Sequence, residues 1–195
     1  MSPLILAAMF LLDTAFTFLI LAVLLRIILQ LIRADFYNPM SQMVIKASNF
    51  LILPMRRIIP AYYGIDWASV VILIVLAFLK QGLLILLTTG IWVSNAGLML
   101  LGMADIFDMV FYIYLFALIA IAVSSWLNPT AVNPLIQIAS QLTAPLLNKI
   151  RQWAPIIGGF DISPLIFTVI LVLFNILVIQ VLSYQGVTLV ERLSK

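Results

Sequence analysis

The 195-residue chain contains neither cysteine nor histidine. The first absence excludes disulfides and thiolate metal sites, and the second excludes imidazole ligands and histidine-based proton transfer. Charged residues are also scarce, at 9% of the chain against about 25% in soluble domains. The remaining Ser, Asp and Lys residues show no nucleophile–base spacing typical of an enzyme. We therefore predict a protein with no catalytic residue, no cofactor and no metal site.

Apolar residues make up 65% of the sequence and gather in long runs. Val70–Leu87 and Leu165–Leu182 each approach the roughly 20 residues that a helix needs to cross a bilayer. The first run, Leu4–Ile32, lacks a basic start, carries Asp13 and far exceeds the apolar region of a secretory signal, so we expect it to remain as a membrane helix. The composition predicts an all-α membrane protein in contact with the lipid bilayer.

The second half of the chain repeats the first in one ungapped register, in which Asn38 falls on Asn133, an offset of 95 residues. The matches that carry weight are between residue types that are scarce in this chain. They are Asn38-Pro39 with Asn133-Pro134, Arg56 with Arg151, Pro60 with Pro155, Gly64 with Gly159, Asp66 with Asp161, and Asp13 with Asp108. Because these residues keep one order and one spacing, the sequence predicts a duplicated unit.

Each copy is predicted to contain a first membrane helix, an Asn-Pro break, an amphipathic stretch, a turn with Pro and Gly, and a second membrane helix. Residues 1–89 form the first repeat and residues 105–195 the second. Residues 90–104 are apolar but short and contain Asn95 and Gly97, so we interpret them as a linker or interfacial segment. The four predicted spans are Leu6–Ile32, Trp67–Thr88, Ile106–Leu127 and Ile162–Tyr184.

Basic residues lie mainly between the two spans of each copy, at Arg33, Lys46, Arg56, Arg57, Lys149 and Arg151. By the positive-inside rule these amphipathic loops face the cytoplasm, and both termini lie together on the opposite side of the membrane. Because each copy crosses the membrane twice, the two copies have the same orientation and form a parallel tandem repeat. The net charge of +3 is therefore interpreted as a topology signal and not as a sign of a nucleic acid partner.

Each of these loops contains a stretch with apolar residues at helical spacing. Such a helix can lie flat at the level of the lipid headgroups. It either covers the cytoplasmic ends of the bundle or offers a groove or a gate to a partner. The apolar positions are Met40, Met43, Val44, Ala47, Phe50 and Leu51 in the first copy, and Leu135, Ile138, Ala139, Leu142, Leu146 and Ile150 in the second.

An aspartate stands directly before the second membrane helix of each copy, at Asp66 and at Asp161. One interpretation is helix N-capping, because a carboxylate there can accept hydrogen bonds from unpaired helical N–H groups. The alternative is a pair of carboxylates that binds a cation or pairs with Arg56 and Arg151. The sequence leaves both interpretations open.

Polar side chains also fall inside the predicted spans, where a charge costs at least about 2.5–3.5 kcal/mol. Arg26 lies near the end of the first helix and is expected to snorkel to the interface. Asp13 and Lys80 lie on helices of opposite direction at similar depth, so we predict an ion pair or a hydrogen-bonded pair. The repeat sets Asp108 against Asn175 as a weaker counterpart. The first pair is either a structural staple or part of a proton or cation relay.

The duplicated motifs resemble those of the YggT family of bacterial inner-membrane proteins. The segments that carry the resemblance are Asn38-Pro39-Met40-Ser41-Gln42, Pro54-Met55-Arg56-Arg57-Ile58-Ile59-Pro60, Gly64-Ile65-Asp66, Asn133-Pro134-Leu135-Ile136-Gln137 and Gly159-Phe160-Asp161-Ile162-Ser163-Pro164. The resemblance covers nearly the whole chain and departs from the pattern at Ile121, which stands opposite Arg26. It implies a link to osmotic stress tolerance and ion uptake, and plastid or division-linked relatives imply roles in division, nucleoid arrangement or cytochrome assembly. It implies no chemical activity.

Two functions of different classes follow. The first is a non-enzymatic organiser of the membrane or of partner proteins, acting through the amphipathic helices. The second is a subunit of a small ion channel or transporter for cations, in which Asp13, Lys80, Asp66 and Asp161 line or gate a route. Because four spans leave little room for a pore within one protomer, the second function requires a homo-oligomer or a membrane protein partner.

Overall fold

The computed structural model describes residues 2–62, 64–92, 96–127, 133–154, 156–157 and 160–193. The described part is almost entirely helical, which confirms the all-α prediction. The helices are α1 (Pro3–Leu31), α2 (Pro39–Arg56), α3 (Trp67–Thr89), α4 (Ala96–Leu127), α5 (Pro134–Arg151), α6 (Ser163–Phe174) and α7 (Gln180–Leu193). A π-helical turn, Asn175–Ile179, joins α6 to α7, and a small hairpin of β1 (Ile156–Ile157) and β2 (Phe160–Asp161) precedes α6.

Four helical segments are long and apolar enough to cross a membrane, as predicted. They are Pro3–Leu31, Trp67–Thr89, Ala96–Ser125 and Ser163–Glu191, the last of which runs through α6, the π-helical turn and α7. Many of their large apolar side chains are exposed, Phe10 and Leu165 among them. Contiguous exposed apolar surface of this kind marks contact with lipid or protein, and the four helices indicate a multi-pass membrane protein.

The third span begins at Ala96 and not at Ile106, so the predicted start of this helix is wrong by about three turns. The glycines in this stretch do not stop the helix. A Cβ atom on Gly102 would lie 3.4 Å from the backbone of Ala77, because α4 crosses α3 at that point. Small residues permit such close approach between membrane helices. The boundary between the two repeats, placed at residue 105, stays a prediction.

The two Asn-Pro motifs begin α2 and α5, as the sequence predicts. Asn38 and Asn133 are the N-cap residues, and their Oδ1 atoms accept hydrogen bonds from the N–H groups of Met40 and Leu135, each at 2.9 Å. The proline that follows each asparagine occupies the first turn, where its missing N–H has no cost. Each Asn-Pro motif therefore marks the start of the amphipathic helix of its copy.

The two amphipathic helices use their apolar faces differently. In α5 the predicted face packs on the bundle, with Ala139 and Leu142 buried. In α2 much of the predicted face is turned outward, because Met43 and Phe50 are exposed. The described residues of α2 that are buried are Ser41, Ser48 and Ile52. The predicted apolar face is therefore covered more completely in α5 than in α2, although α2 also packs on the bundle through Ile52.

Each repeat has buried apolar clusters of its own. In the first repeat Ile20 and Val23 of α1 pack with Ile52 of α2 and Ala77 of α3. In the second repeat the buried residues divide into clusters around Ala104, Phe111 and Ile179, around Ala117, Ala139 and Leu142, and around Leu118, Leu147 and Phe167. The two repeats meet where side chains of α4 pack against the first cluster.

Candidate functional site

Lys80 of α3 is the centre of a polar cluster inside the membrane-spanning helices. Its side chain is 5% exposed, and its Nζ atom lies 3.1 Å from Oδ1 of Asp13 and 3.0 Å from Oδ2 of Asp105. Nζ also donates a hydrogen bond to Oγ1 of Thr17 at 3.0 Å. The predicted Asp13–Lys80 ion pair is therefore present, and the ammonium has a partner for each of its three protons.

Asp105 is the member of this cluster that the sequence analysis missed. It was overlooked because the third span was predicted to start at Ile106, one residue later. With α4 starting at Ala96, Asp105 lies well inside the span. Its spacing to Asp108 was an available signal, because residues three apart on a helix share one face.

In the second copy the equivalent contact has a neutral amide in place of the lysine. Nδ2 of Asn175 donates a hydrogen bond to Oδ1 of Asp108 at 3.0 Å, which confirms the predicted pairing. Asn175 is also the first residue of the π-helical turn, a feature often found at functional sites. The repeat thus places a carboxylate against a lysine in one copy and against an amide in the other.

Two cavities meet at this cluster. The larger, of about 760 Å³, lies between α1, α4 and α5, and the smaller, of about 320 Å³, lies between α3, α4 and the helix that contains the π-helical turn. Asp105 and Asp108 line both. The larger cavity is polar at Asp13, Thr17, Lys80, Asp105 and Asp108, and most of its other lining residues are apolar.

Carboxylates outnumber cations at this place. Asp13, Asp105 and Asp108 line the larger cavity together with the single lysine, Lys80. The cluster therefore has a formal charge of −2 when its members are ionised. In the described part of the chain no group of three or more acidic, histidine or cysteine residues is arranged to hold a metal ion.

Arg26 is buried, at 7% exposure, and contacts α2 and the residue before α3. Its Nη1 atom donates hydrogen bonds to Oγ of Ser48 at 3.0 Å and to Oδ1 of Asn49 at 2.8 Å. Its Nε atom lies 3.8 Å from Oδ2 of Asp66. The guanidinium is therefore held by polar groups of neighbouring segments, and its position at the membrane interface stays a prediction.

Asp66 pairs with arginine and does not cap α3 through its side chain. Its Oδ2 atom accepts hydrogen bonds from Nη2 of Arg56 at 2.6 Å and from Oγ of Ser69 at 2.6 Å. Burial alone would raise the pKa of Asp66, but these hydrogen bonds and the charges of Arg56 and Arg26 hold that pKa below its ordinary value. Of the two interpretations of this residue, the structure supports the arginine pair.

Asp161 makes the equivalent pair in a more exposed setting. Nε of Arg151 lies 2.8 Å from Oδ2 of Asp161, with side-chain exposures of 52% and 40%. The Oδ1 atom accepts a hydrogen bond from the N–H of Ser163 at the start of α6. Hydrogen bonding with Ser163 and the contact with Arg151 lower the pKa of Asp161. This aspartate therefore pairs with arginine and also accepts a hydrogen bond from the first residue of α6, whose N-cap residue is Ile162.

The Asn-Pro motifs also join the two copies. Nδ2 of Asn38, which is buried, donates hydrogen bonds to the carbonyl of Pro134 at 2.9 Å and to Oε1 of Gln137 at 3.3 Å. Pro60 and Gly64 form the turn before α3, where Gly64 has a φ of 74°. Their predicted counterparts Pro155 and Gly159 lie outside the described residues.

Comparison with known proteins gives one family and a set of bacterial relatives. The family model described as CCB3/YggT matches residues 5–87 and 100–182. An uncharacterized protein of Pseudomonas aeruginosa is 40% identical over 91% of this chain and 90% of its own length. The uncharacterized protein YggT of Escherichia coli is 37% identical over 91% of this chain and 92% of its own length. No solved structure is significantly similar to the chain.

Proposed function

The chain belongs to the CCB3/YggT family, and we propose that it is a non-enzymatic membrane protein that binds cations at the Lys80 cluster and carries them across the membrane. The observation that supports this proposal is the excess of carboxylates, Asp13, Asp105 and Asp108, around one lysine where two cavities meet. Ionisable groups at membrane depth are costly, and in known membrane proteins they mark ion and proton routes. A cation route also fits the link to osmotic stress that the family resemblance implies.

The proposal includes an orientation. We place α2 and α5 at the cytoplasmic face of a bacterial inner membrane and both termini in the periplasm, with the two copies parallel. Single cysteines at Lys46 and at Ser2, introduced into a chain that has no other, test this placement in intact cells. A membrane-impermeant thiol reagent should label position 2 and spare position 46 until the cells are opened. Labelling of position 46 in intact cells contradicts the orientation.

Flux through purified protein in liposomes tests the transport proposal. We expect uptake of K⁺, Na⁺ or protons above that of empty vesicles, reduced at least tenfold by the Asp13→Asn/Lys80→Met double variant. The matched control is Asp35→Asn/Lys46→Met, which removes one exposed carboxylate and one exposed ammonium outside both cavities and should leave the flux unchanged. Flux equal to that of empty vesicles contradicts the proposal, as does equal loss in both double variants. Because one protomer has little room for a pore, the flux is expected from an oligomer.

The second candidate is a membrane organiser, and the outward apolar face of α2 favours it. Met43, Phe50 and Leu53 are exposed on a helix that also carries Lys46, which suits contact with lipid or with a partner protein. A nitroxide label on cysteine at position 50 should be more accessible to oxygen than to a water-soluble relaxation agent, and a label at Gln42 should show the opposite. Equal accessibility at the two positions contradicts this role for α2.

A further inference from the structure

The larger cavity lies between equivalent parts of the two copies. At the offset of the repeat, four pairs of equivalent residues line it from the two sides. They are Asp13 with Asp108, Thr17 with Tyr112, Leu21 with Phe116, and Met40 with Leu135. In transporters built from internal repeats, binding sites lie at the interface between the repeats. Its position therefore makes this cavity a place where a ligand would contact both copies.

The lining of the cavity is divided by chemistry. Asp13, Asp105 and Asp108 lie at its polar end with Lys80, and apolar residues such as Ile113 and Leu142 line the remainder. A small inorganic ion would leave that apolar wall without a partner. A neutral lipid chain would leave the formal charge of −2 without a counter-charge. A single molecule with a positive group and an apolar body complements both parts.

Aromatic side chains adjoin the carboxylates on one side only. Tyr112 and Phe116 follow Asp108 at steps of four residues on α4, so the three share one helical face, and all three line the cavity. Their counterparts in the first copy are Thr17 and Leu21, which are not aromatic. Aromatic faces next to carboxylates bind organic cations, because the ring quadrupole attracts a charge that carries apolar substituents.

We propose that the cavity between the repeats is a binding site for an amphiphilic organic cation, with its charge at Asp108 and its apolar body along Tyr112 and Phe116. The volume of about 760 Å³ is within the range of small-molecule sites, roughly 300–1,000 Å³. The inference rests on the proposed function for its cation-binding carboxylates. It goes further in naming the chemical class of the ligand, and it requires binding but no transport.

Equilibrium binding of tetraphenylphosphonium to the full chain in lipid nanodiscs tests the inference. Empty nanodiscs give the partition of the probe into lipid, and tetraphenylborate provides the same shape with the opposite charge. We expect saturable binding of the phosphonium with one site per protomer, at least tenfold tighter than any binding of the borate. Absence of saturable binding, or equal binding of the two probes, overturns the proposal.

Two variants test whether Asp108 and Phe116 form the binding site. Asp108→Asn keeps the shape of the side chain and removes its charge, so phosphonium affinity should fall at least tenfold. Phe116→Leu should weaken it severalfold, because the aromatic face is lost and the apolar volume is largely kept. Asp35→Asn, which removes an exposed carboxylate outside the cavity, is the matched control and should bind as the parent does. Thermal unfolding in the same nanodiscs identifies any variant that has lost its fold, and unchanged affinity in a folded Asp108→Asn variant overturns the proposal.

The outcomes for the two proposals are separable. Saturable phosphonium binding without flux of K⁺, Na⁺ or protons would support the site and contradict the transport function. Flux of these cations without phosphonium binding would support the transport function and contradict the binding site for an organic cation. Competition, in which the phosphonium blocks the flux of an inorganic cation, would support both, because the same carboxylates would then serve both ligands.

Discussion

The two repeats share several polar positions, but buried cations of the first repeat are replaced by uncharged residues in the second. In the first repeat Lys80 and Arg26 are buried and held by several partners. In the second repeat Asn175 replaces the lysine, and Ile121 replaces the arginine. The comparison teaches that the first copy holds its helices together by buried ion pairs, whereas the second uses a hydrogen bond between an amide and a carboxylate at the equivalent position.

The same difference extends to the amphipathic helices. Arg26 draws Ser48 and Asn49 of α2 inward and leaves Phe50 exposed. With an isoleucine in the equivalent position, α5 has no cation to meet and buries its own apolar face. Both helices nevertheless bury equivalent positions, Ser48 with Thr143 and Ile52 with Leu147, so they differ in how much of the apolar face is covered.

The largest expected effect comes from removing the buried ammonium. Lys80→Met leaves Asp13 and Asp105 without a counter-charge, so the free energy of unfolding should fall by about 3–5 kcal/mol. The counterpart Asn175→Leu should cost only about 1 kcal/mol, the usual worth of a polar contact between membrane helices. Unfolding in mixed micelles measures both, with Lys46→Met on the exposed side of α2 as control. If Lys80→Met and Asn175→Leu lower the free energy of unfolding equally, the proposed difference between the two repeats is wrong.

The arginines give the next largest difference. Arg26→Met removes two charge-assisted hydrogen bonds in the interior, for a loss of about 2–3 kcal/mol. Arg151→Met removes an exposed ion pair and should cost less than about 1 kcal/mol. The same unfolding assay compares them, and a nitroxide at position 50 should lose lipid exposure in Arg26→Met. A label that keeps its exposure would show that Arg26 does not set the orientation of α2.

The asparagine caps should differ by the two hydrogen bonds that Asn38 donates to the other copy. Asn38→Ala removes a helix cap and the hydrogen bonds to the carbonyl of Pro134 and to Oε1 of Gln137, so we expect a loss of about 2 kcal/mol. Asn133→Ala removes a cap alone, for about 1 kcal/mol. Thermal unfolding of the two variants side by side measures the difference. If Asn133→Ala is the more costly change, the contact between the copies has been assigned to the wrong motif.

The smallest effect concerns pH. Because the pKa of Asp66 is lowered in the folded protein, its stabilising contribution is complete above the ordinary value of 3.8 and is lost as pH falls through the folded pKa. The stability of Asp66→Asn should therefore depend less on pH below about 4 than that of the parent. Asp161→Asn should change the profile less, since that pair is exposed. Identical profiles for the parent and Asp66→Asn would contradict the buried pairing.

Much of this fold and part of the site could be predicted from the chain. The Asp13–Lys80 and Asp108–Asn175 contacts followed from helix direction and the repeat offset. Asp105 could not be placed, because its role depends on where α4 begins, and glycines in an apolar stretch do not show whether a helix continues. The partners of Arg26 could not be predicted, because the direction of a long side chain near a helix end depends on which acceptors a neighbouring helix offers.

The sequence by itself determined the four membrane helices, the duplicated unit and the helix starts at Asn-Pro, since apolar length and local backbone chemistry act within one segment. Only the tertiary structure decided that Lys80 binds two carboxylates, that Asp66 pairs with arginine, and that α2 turns its apolar face outward. The physical reason is that a buried charge takes whichever partners the packed helices bring to it. Those partners lie far apart in the chain.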